Sequence, residues 1–271
     1  MNIFQLTDSK QYYLSSTSKI GTKMNTTYNS KINFQIPRFI IKRPNILYNT
    51  LKVIHAEIPY SFYIVNYTNN ILILKNNTTS VFFYYTVPEG NYIAFTLLTI
   101  LNSFNIDFIF SLNSSTGKYI IESVINFNIP INSTIIKLIG GILNTVYIST
   151  LLNSKYYINL PYPVNLMGTK NIFIKCNLIL ENLQSKTSDN QTLKSIPVNV
   201  PPFGLVLYNN NENIESLIKN SQIDNLNIEI VDDDNNLINF NNQDWTITLE
   251  LKTVLQVSQN SQSIEEYLNQ N

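Results

Sequence analysis

Apolar and polar residues alternate strictly near the end of the chain, and this pattern predicts a β-strand with one buried face. Apolar side chains occupy every second position of this strand, at Trp245, Ile247, Leu249 and Leu251. Because successive side chains of a strand point to opposite faces of a sheet, these four residues should face a core while their neighbours face solvent. A half-exposed antiparallel strand is typical of a β-sandwich or barrel.

Two pairs of neighbouring strand patterns predict hairpins. The acidic run at 232–236 separates a strand pattern at 223–230 from the alternating strand, so these two strands are expected to pair across the turn. Nearer the start of the chain, the strand patterns at 32–36 and 51–58 are separated by a short loop. These two are also expected to be antiparallel partners.

Residues 62–150 differ in pattern from the rest and predict a small α+β insertion. Apolar residues at helical spacing predict a helix over 92–103, with Asn91 as its N-cap. A second helix is expected to run from an N-cap near Ser133 to the glycine pair at 140–141, where glycine supplies the left-handed residue that ends a helix.

The remaining segments predict an arm, a discontinuous β-sandwich and a tail. Residues 1–30 are polar and predict a flexible N-terminal arm that becomes ordered only against neighbouring molecules. Residues 31–61 and 151–257 predict the sandwich, with Cys176 facing its core, and residues 258–271 predict a polar C-terminal tail. Alanine, the best helix former, occurs only twice, which favours an all-β dominated fold.

Composition limits the classes of partner. The chain has 271 residues, of which 44% are hydrophobic, enough for one elaborated domain or two small ones. Eighteen acidic residues balance 18 basic ones, and only two of these are arginine, so specific nucleic-acid binding is not expected. Zero net charge with 12% aromatics lowers the solubility of a free monomer. Such a surface fits a protein covered by neighbours, or it follows from compositional bias alone.

Targeting signals are missing from the sequence pattern. No N-terminal run combines a basic, an apolar and a cleavage region, so a signal peptide is not expected. The apolar runs are shorter than the roughly 18 residues that span a bilayer, so no membrane span is predicted. A single cysteine excludes an internal disulfide, and synthesis inside a cell is expected.

Candidate chemistry is sparse. His55 and Cys176 are the only histidine and cysteine, and their strand positions favour structural roles over a Cys–His dyad. The run Asp232–Asn236 suggests Ca²⁺, but the sixth and twelfth positions of an EF-hand loop would be Leu237 and Gln243. A solvated turn is the simpler interpretation, although an irregular Ca²⁺ site stays open. We therefore predict no catalytic residue, no cofactor and no metal ligand, and the chain is not expected to be an enzyme.

A series of short phrases in a fixed order resembles the penton or minor capsid proteins of virophages, Polinton-like elements and giant DNA viruses. The likeness covers roughly residues 30–255. It departs from the family pattern where Ile142 follows the glycine pair and where Asn241 and Asn242 replace an expected glycine. The phrases are Ile58-Pro-Tyr-Ser-Phe-Tyr63, Val87-Pro-Glu-Gly-Asn-Tyr92, Ser133-Thr-Ile-Ile-Lys-Leu-Ile-Gly-Gly141, Gly168-Thr-Lys-Asn-Ile-Phe-Ile174, Ser195-Ile-Pro-Val198 and the strand from Asp244-Trp245.

The resemblance implies a single jelly-roll β-sandwich with the α+β segment as an elaboration. It also implies a structural capsid protein, a penton subunit that forms homopentamers at icosahedral vertices of the virion. The implied partners are further copies of the chain, the major capsid protein and other minor capsid proteins, with synthesis in the host cytoplasm or a viral factory. The alternative is a virion-surface or soluble jelly-roll protein that binds a glycan or a receptor.

Overall fold

In the computed structural model the chain forms two units. Unit 1 comprises Met1–Phe62 and Thr169–Asn271, and unit 2 comprises Tyr63–Gly168. The structure describes residues 3–25, 28–40, 46–179, 191–218 and 222–258.

The first and last elements of the chain belong to unit 1, and those between them belong to unit 2. Unit 1 begins with β1 (Ile3–Ser15), β2 (Gly21–Lys23), β3 (Lys31–Ile40) and β4 (Ile46–Pro59). Unit 2 contains β5 (Ile71–Asn76), β6 (Phe82–Thr86), α1 (Ala94–Phe104), β7 (Phe108–Asn113), β8 (Lys118–Ser123), β9 (Phe127–Ile129), a 3₁₀ turn (Thr134–Lys137), β10 (Tyr147–Ile148), β11 (Thr150–Leu152) and β12 (Lys155–Asn159). Unit 1 resumes with β13 (Asn171–Cys176), β14 (Thr192–Pro197), β15 (Leu205–Asn209), β16 (Ser216–Leu217), β17 (Gln222–Val231) and β18 (Thr246–Ser258).

Unit 1 is built from two antiparallel sheets. The first sheet has the order β1-β18-β4-β15, with the short β16 also pairing with β4. The second has the order β14-β13-β17-β3-β2. When the eight long strands are lettered B to I along the chain, without β2 and β16, the sheets read B-I-D-G and F-E-H-C. This is the strand order of a jelly roll, and the predicted fold class is confirmed.

Both predicted hairpins are wrong, for one reason. The strands at 32–36 and 51–58 belong to β3 and β4, which lie in different sheets. The strands at 223–230 and 245–251 belong to β17 and β18, which are likewise separated. In a jelly roll these connections cross from one sheet to the other, whereas the alternation of residues along a strand reports only which face is buried.

The inner faces of both sheets form the core of unit 1. Trp245, Ile247 and Leu249 are fully buried in it, and so is Cys176, as predicted. The indole Nε1–H of Trp245 donates to the carbonyl oxygen of Asn29 at 2.8 Å. Its only buried polar atom is therefore satisfied, and burial of the ring stabilises the sandwich without a polar penalty.

The expected flexible arm at residues 1–30 is wrong for most of its length. Ile3–Ser15 forms β1, which pairs with β18 from Ile3 opposite Ser258 to Ser15 opposite Thr246. Leu14 is buried in the core, and Tyr12 packs against it. β1 looks polar in the sequence because it is an edge strand with one exposed face, and its backbone hydrogen bonds come from a partner more than 200 residues away.

Unit 2 extends further than the predicted insertion. It contains two four-stranded sheets, β10-β9-β5-β6 and β11-β12-β8-β7, around a core of its own. Residues 151–168, which were expected in the sandwich, belong here because β12 pairs with β8.

The first predicted helix is found, with a different N-terminus. It runs over Ala94–Phe104 as α1, and the expected N-cap Asn91 instead accepts a hydrogen bond from the Ile64 N–H at 2.9 Å. The hydroxyl oxygen of Thr96 accepts from the N–H of Ile93 at 3.2 Å at the start of the helix. Among the described residues no helix is long and apolar enough to cross a membrane.

The second predicted helix is wrong, since only a 3₁₀ turn forms at Thr134–Lys137. The Ser133 hydroxyl bonds to the backbone of Ile73 in β5 and does not cap a helix. Gly140 has a φ of +99°, and a Cβ there would lie 2.1 Å from the carbonyl oxygen of Tyr162. The glycine therefore permits a close backbone approach within unit 2. The predicted tail at 258–271 lies, except for Ser258, outside the described residues.

Replacing Trp245 with alanine is expected to lower the free energy of unfolding by about 3–5 kcal/mol, because a large cavity opens in the core. Chemical denaturation of both variants measures this. Tyr48→Ala, at an exposed ring on β4, is the matched control and should cost far less. A loss below about 1 kcal/mol at Trp245 would contradict the described core.

Deletion of residues 2–15 is expected to destabilise unit 1 strongly, because it removes β1, exposes the edge of β18 and leaves the site of Leu14 empty. Thermal unfolding followed by circular dichroism compares the full and shortened chains. Limited proteolysis of the full chain should find residues 7–15 protected. An unchanged unfolding midpoint after the deletion would restore the flexible-arm interpretation.

Candidate functional site

His55 lies on the outer face of β4 and joins two strands. Its Nδ1 lies 2.7 Å from Oδ1 of Asn209 in β15, and its Nε2 lies 3.3 Å from Oε1 of Glu57. With both ring nitrogens facing oxygen acceptors, the ring satisfies both contacts only as the doubly protonated imidazolium. The hydrogen bond to Asn209 raises the pKa of His55 above its ordinary value, partial burial opposes this, and Glu57 adds to the rise.

The side chain of Cys176 does not contact that of His55. Its side chain is buried among the core residues of the second sheet, whereas His55 points away from the core of the first. Burial raises the pKa of the Cys176 thiol to about 12. A thiol held neutral in this way is a poor nucleophile, so the two residues do not form a catalytic pair.

The acidic run uses its carboxylates to shape a loop. Oδ1 of Asp232 accepts hydrogen bonds from the N–H groups of Asp234 and Asn236 at 2.8 and 2.9 Å. Oδ2 of Asp233 accepts from the N–H of Lys170 at 2.7 Å and so fixes the loop against the start of β13. Among the described residues, no group of three or more His, Cys, Asp or Glu side chains is placed to hold a metal ion.

A charge-balanced network crosses the outer face of the first sheet. Lys52 Nζ lies 2.7 Å from Glu250 Oε2, and Lys252 Nζ lies 3.2 Å from Glu215 Oε1. The hydroxyl of Thr50 donates to Glu215 Oε2 at 2.8 Å. The hydrogen bond to Glu250 is the largest cause of the raised pKa of Lys52. These contacts tie β4, β18 and the residue before β16 together, which is a structural role.

Exposed apolar side chains on sheet edges are the strongest candidate for function in unit 1. Among the described residues, β15 pairs only with β4 and is therefore an edge strand. Leu205 and Leu207 are exposed on its outer face, and Phe203 just before it is 79% exposed. On the opposite edge, Tyr13 of β1 is 67% exposed. We call Phe203, Leu205 and Leu207 the β15 edge patch.

Unit 2 carries a second set of exposed apolar residues on edge strands. The rings of Phe82 and Tyr84 on β6 stack with centroids 6.2 Å apart and planes 28° apart. Lys75 Nζ lies 5.3 Å from the centroid of Phe82. On β11, Leu151 and Leu152 are exposed as well. The sequence contains an indication of the exposed rings on β6. Aromatic residues follow one another from Phe82 to Tyr85 without alternation, so a strand at the edge of a sheet exposes some of them.

The fold and these surfaces define a class of protein: a single jelly roll with an α+β unit inserted between its third and fourth long strands, D and E. No family model matches the chain, and no curated protein matches it.

Among solved structures, the chain is similar to the mavirus penton protein, with 12% identity, a TM-score of 0.44, and coverage of 95% of this chain and 100% of that one. It is also similar to VP17, a capsid protein of bacteriophage P23-77, with 8% identity, a TM-score of 0.23, and coverage of 94% and 99%. For the BFDV capsid protein the identity is 10%, the TM-score 0.18, and the coverage 97% and 96%. At these values, the fold assignment rests on the strand order.

The environment of His55 predicts a pH dependence of stability. A histidine whose pKa is raised by folding contributes stability that is fully present below its unfolded pKa of about 6.5 and is lost as the pH rises through the folded pKa. Because the side chain is one-third exposed, the effect should not exceed about 1 kcal/mol. Chemical denaturation at a series of pH values should show a free energy of unfolding that falls with rising pH in the unchanged protein but not in His55→Gln. Equal slopes would contradict the assignment.

Proposed function

We propose that the chain is a structural capsid protein, a penton subunit that forms homopentamers at the icosahedral vertices of a virion. One observation carries the proposal: a chain of zero net charge folds into a jelly roll whose first sheet exposes Leu205 and Leu207 on the edge strand β15 and Tyr13 on the edge strand β1. The phrases shared with penton and minor capsid proteins support the same function. The proposed site of action is the capsid vertex, after synthesis in the host cytoplasm or a viral factory.

Exposed apolar edges are a hazard for a free monomer. Soluble proteins normally protect edge strands with charges, prolines, bulges or covering loops, because unpaired backbone groups recruit other strands. Here β15 presents two leucines and β6 presents two aromatic rings with neither acid nor base among the exposed side chains of the strands themselves. Such edges are expected in a protein that works with neighbours against them.

A closed ring of identical subunits needs two different patches on each copy, joined head to tail. The major capsid protein and other minor capsid proteins are the further partners we propose, since a vertex subunit must meet the surrounding shell. The environments of His55, Cys176 and Asp232–Asn236 favour structural roles, and we propose no catalytic activity.

Quantification of the chain in purified particles tests this function. The expected result is a stoichiometry of five copies per vertex, measured by mass spectrometry against the major capsid protein. A chain missing from purified particles, or one present in hundreds of extra copies, would contradict the penton assignment.

Pentamer formation is expected to depend weakly on salt. The exposed side chains of the edge strand β15 include no acid or base, and those described for the opposite edge strand β1 include one, Lys10. Few charged contacts are therefore expected, and screening acts mainly on exposed charges. Sedimentation velocity of the purified protein across low to moderate salt should show the same association. A steep loss of pentamer with added salt would instead indicate contacts between charged groups.

A second candidate function, glycan binding, is favoured by the stacked pair Phe82 and Tyr84. Exposed aromatic faces can stack on the apolar faces of sugars, and this pair lies on a strand edge beside Lys75. A glycan array with the full chain tests it, with Phe82→Ser/Tyr84→Ser as the control. A stable monomer that binds sugars through these rings would favour this function over the penton.

A further inference from the structure

Phe203 holds a backbone conformation that its side chain disfavours. Its φ is +69°, and the N–H of Gly204 donates to the carbonyl oxygen of Pro201 at 3.0 Å, which closes a four-residue turn. Pro202 occupies the second position, where its ring excludes a positive φ, so the turn is of type II. The third position of this turn favours glycine, and a bulky residue there is an outlier.

Nothing inside unit 1 requires the ring of Phe203, since it is 79% exposed. Strained residues persist where function selects them. Glycine stands one position later, at Gly204, so the chain places the larger residue at the strained position and extends it into solvent. Phe203 continues directly into Leu205 and Leu207, whose partners on β4 are Pro59 and Glu57. The β15 edge patch is therefore a line of three apolar side chains along a strand that has only one partner strand among the described residues.

Within the described ranges β1 pairs only with β18 and forms the other edge of the first sheet, and the register places the end of β1 at the level of β15. Residues opposite one another across the four strands form rows perpendicular to the strands. One row is Ser15, Thr246, Glu57 and Leu207, and the next is Tyr13, Thr248, His55 and Asn209. A rotation about an axis parallel to the strands leaves levels unchanged, so it brings Leu207 and Asn209 of one copy to the levels of Ser15 and Tyr13 in the next.

Strand direction supports the same arrangement. Each neighbouring pair in the order β1-β18-β4-β15 is antiparallel. With four strands in the sheet, β15 runs antiparallel to β1 of its own copy. Rotation about an axis along the strands preserves direction, so β15 is also antiparallel to β1 of the next copy. Continuation of the sheet across the interface would then keep the antiparallel alternation, which is the favoured mode of strand addition.

Side-chain chemistry fits as well. Tyr13 lies opposite Thr248, and Leu207 lies opposite Glu57, so both project from the outer face of the sheet. The charged residues of the two rows, His55 and Glu57, contact each other at 3.3 Å. An interface at this level therefore combines apolar side chains with a histidine and a carboxylate that already contact each other.

We propose that β15 of one copy pairs with the end of β1 of the next copy, where Leu207 lies beside Ser15 and Tyr13 and where Leu205 and Phe203 extend past Ser15, and that this contact repeats around the ring. The contact has two different faces and is head to tail, as closure requires. It rests on the proposed homo-oligomer, for which it names the joining surface.

A charge placed on the edge tests the surface. Leu207→Lys is expected to weaken association by at least about tenfold, because an apolar contact near the centre of an interface is replaced by a charge that must be desolvated. Val124→Lys, at an exposed position outside the strands of unit 2, is the matched control and should associate like the unchanged protein. Sedimentation over a concentration series measures both.

Phe203→Gly separates assembly from folding. Glycine relieves the positive φ, so the unfolding midpoint of the dissociated protein should rise, while association should weaken by at least about tenfold. If the ring had a structural role, Phe203→Gly would lower both the unfolding midpoint and the strength of association. A higher midpoint with unchanged association would overturn the assigned contact.

Cross-linking identifies the two strands directly. A chain with Tyr13→Cys and Leu207→Cys, treated with a short bismaleimide, should give a ladder that ends in a closed ring, whereas each single variant should give none. Cys176 is buried and does not interfere. If the unchanged protein forms rings but Leu207→Lys associates normally and no ladder appears, the surface is wrong and the proposed function stands. If the unchanged protein is monomeric at every concentration and missing from particles, both fail.

Discussion

The pairing of β18 with both β1 and β4 is the constraint on which the rest of the structure depends. β18 buries Ile247, Leu249 and Leu251 in the core on one face. Through its pairing with β1 it also joins the two ends of the described chain. Without it the first sheet would lose its centre, and β1 and β15 would no longer be opposite edges at one level. The assembly surface is therefore a consequence of one long-range pairing, which also makes the fold rich in non-local contacts.

Much of the fold could be predicted where a pattern reports a local property. Alternation from Trp245 to Leu251 gave the buried face correctly because the period of side-chain direction is intrinsic to a strand. Alternation does not identify partner strands, so the predicted pairing of strands adjacent in sequence is wrong where the jelly roll places them in different sheets. The prediction of an arm fails for β1 because an edge strand buries few side chains, and its hydrogen bonds depend on a partner at the other end of the chain.

The candidate site was less accessible from the sequence. Structural roles for His55 and Cys176 followed from strand positions, and their environments agree. The β15 edge patch did not follow, because exposure of Leu205 and Leu207 depends on which strand ends the sheet. The turn at Pro201–Gly204 could be expected from its prolines and glycine, but the positive φ falls on Phe203 and not on the glycine. That choice is visible only in the backbone.

Hydrogen exchange of the assembled and the dissociated protein tests the central claim most directly, because strand addition protects backbone amides at both joined edges. The account predicts that amides in β15 and at the end of β1, over residues 13–15, exchange more slowly on assembly, while those of β6 in unit 2 do not change. Equal exchange of β1 and β15 in assembled and dissociated protein would contradict it.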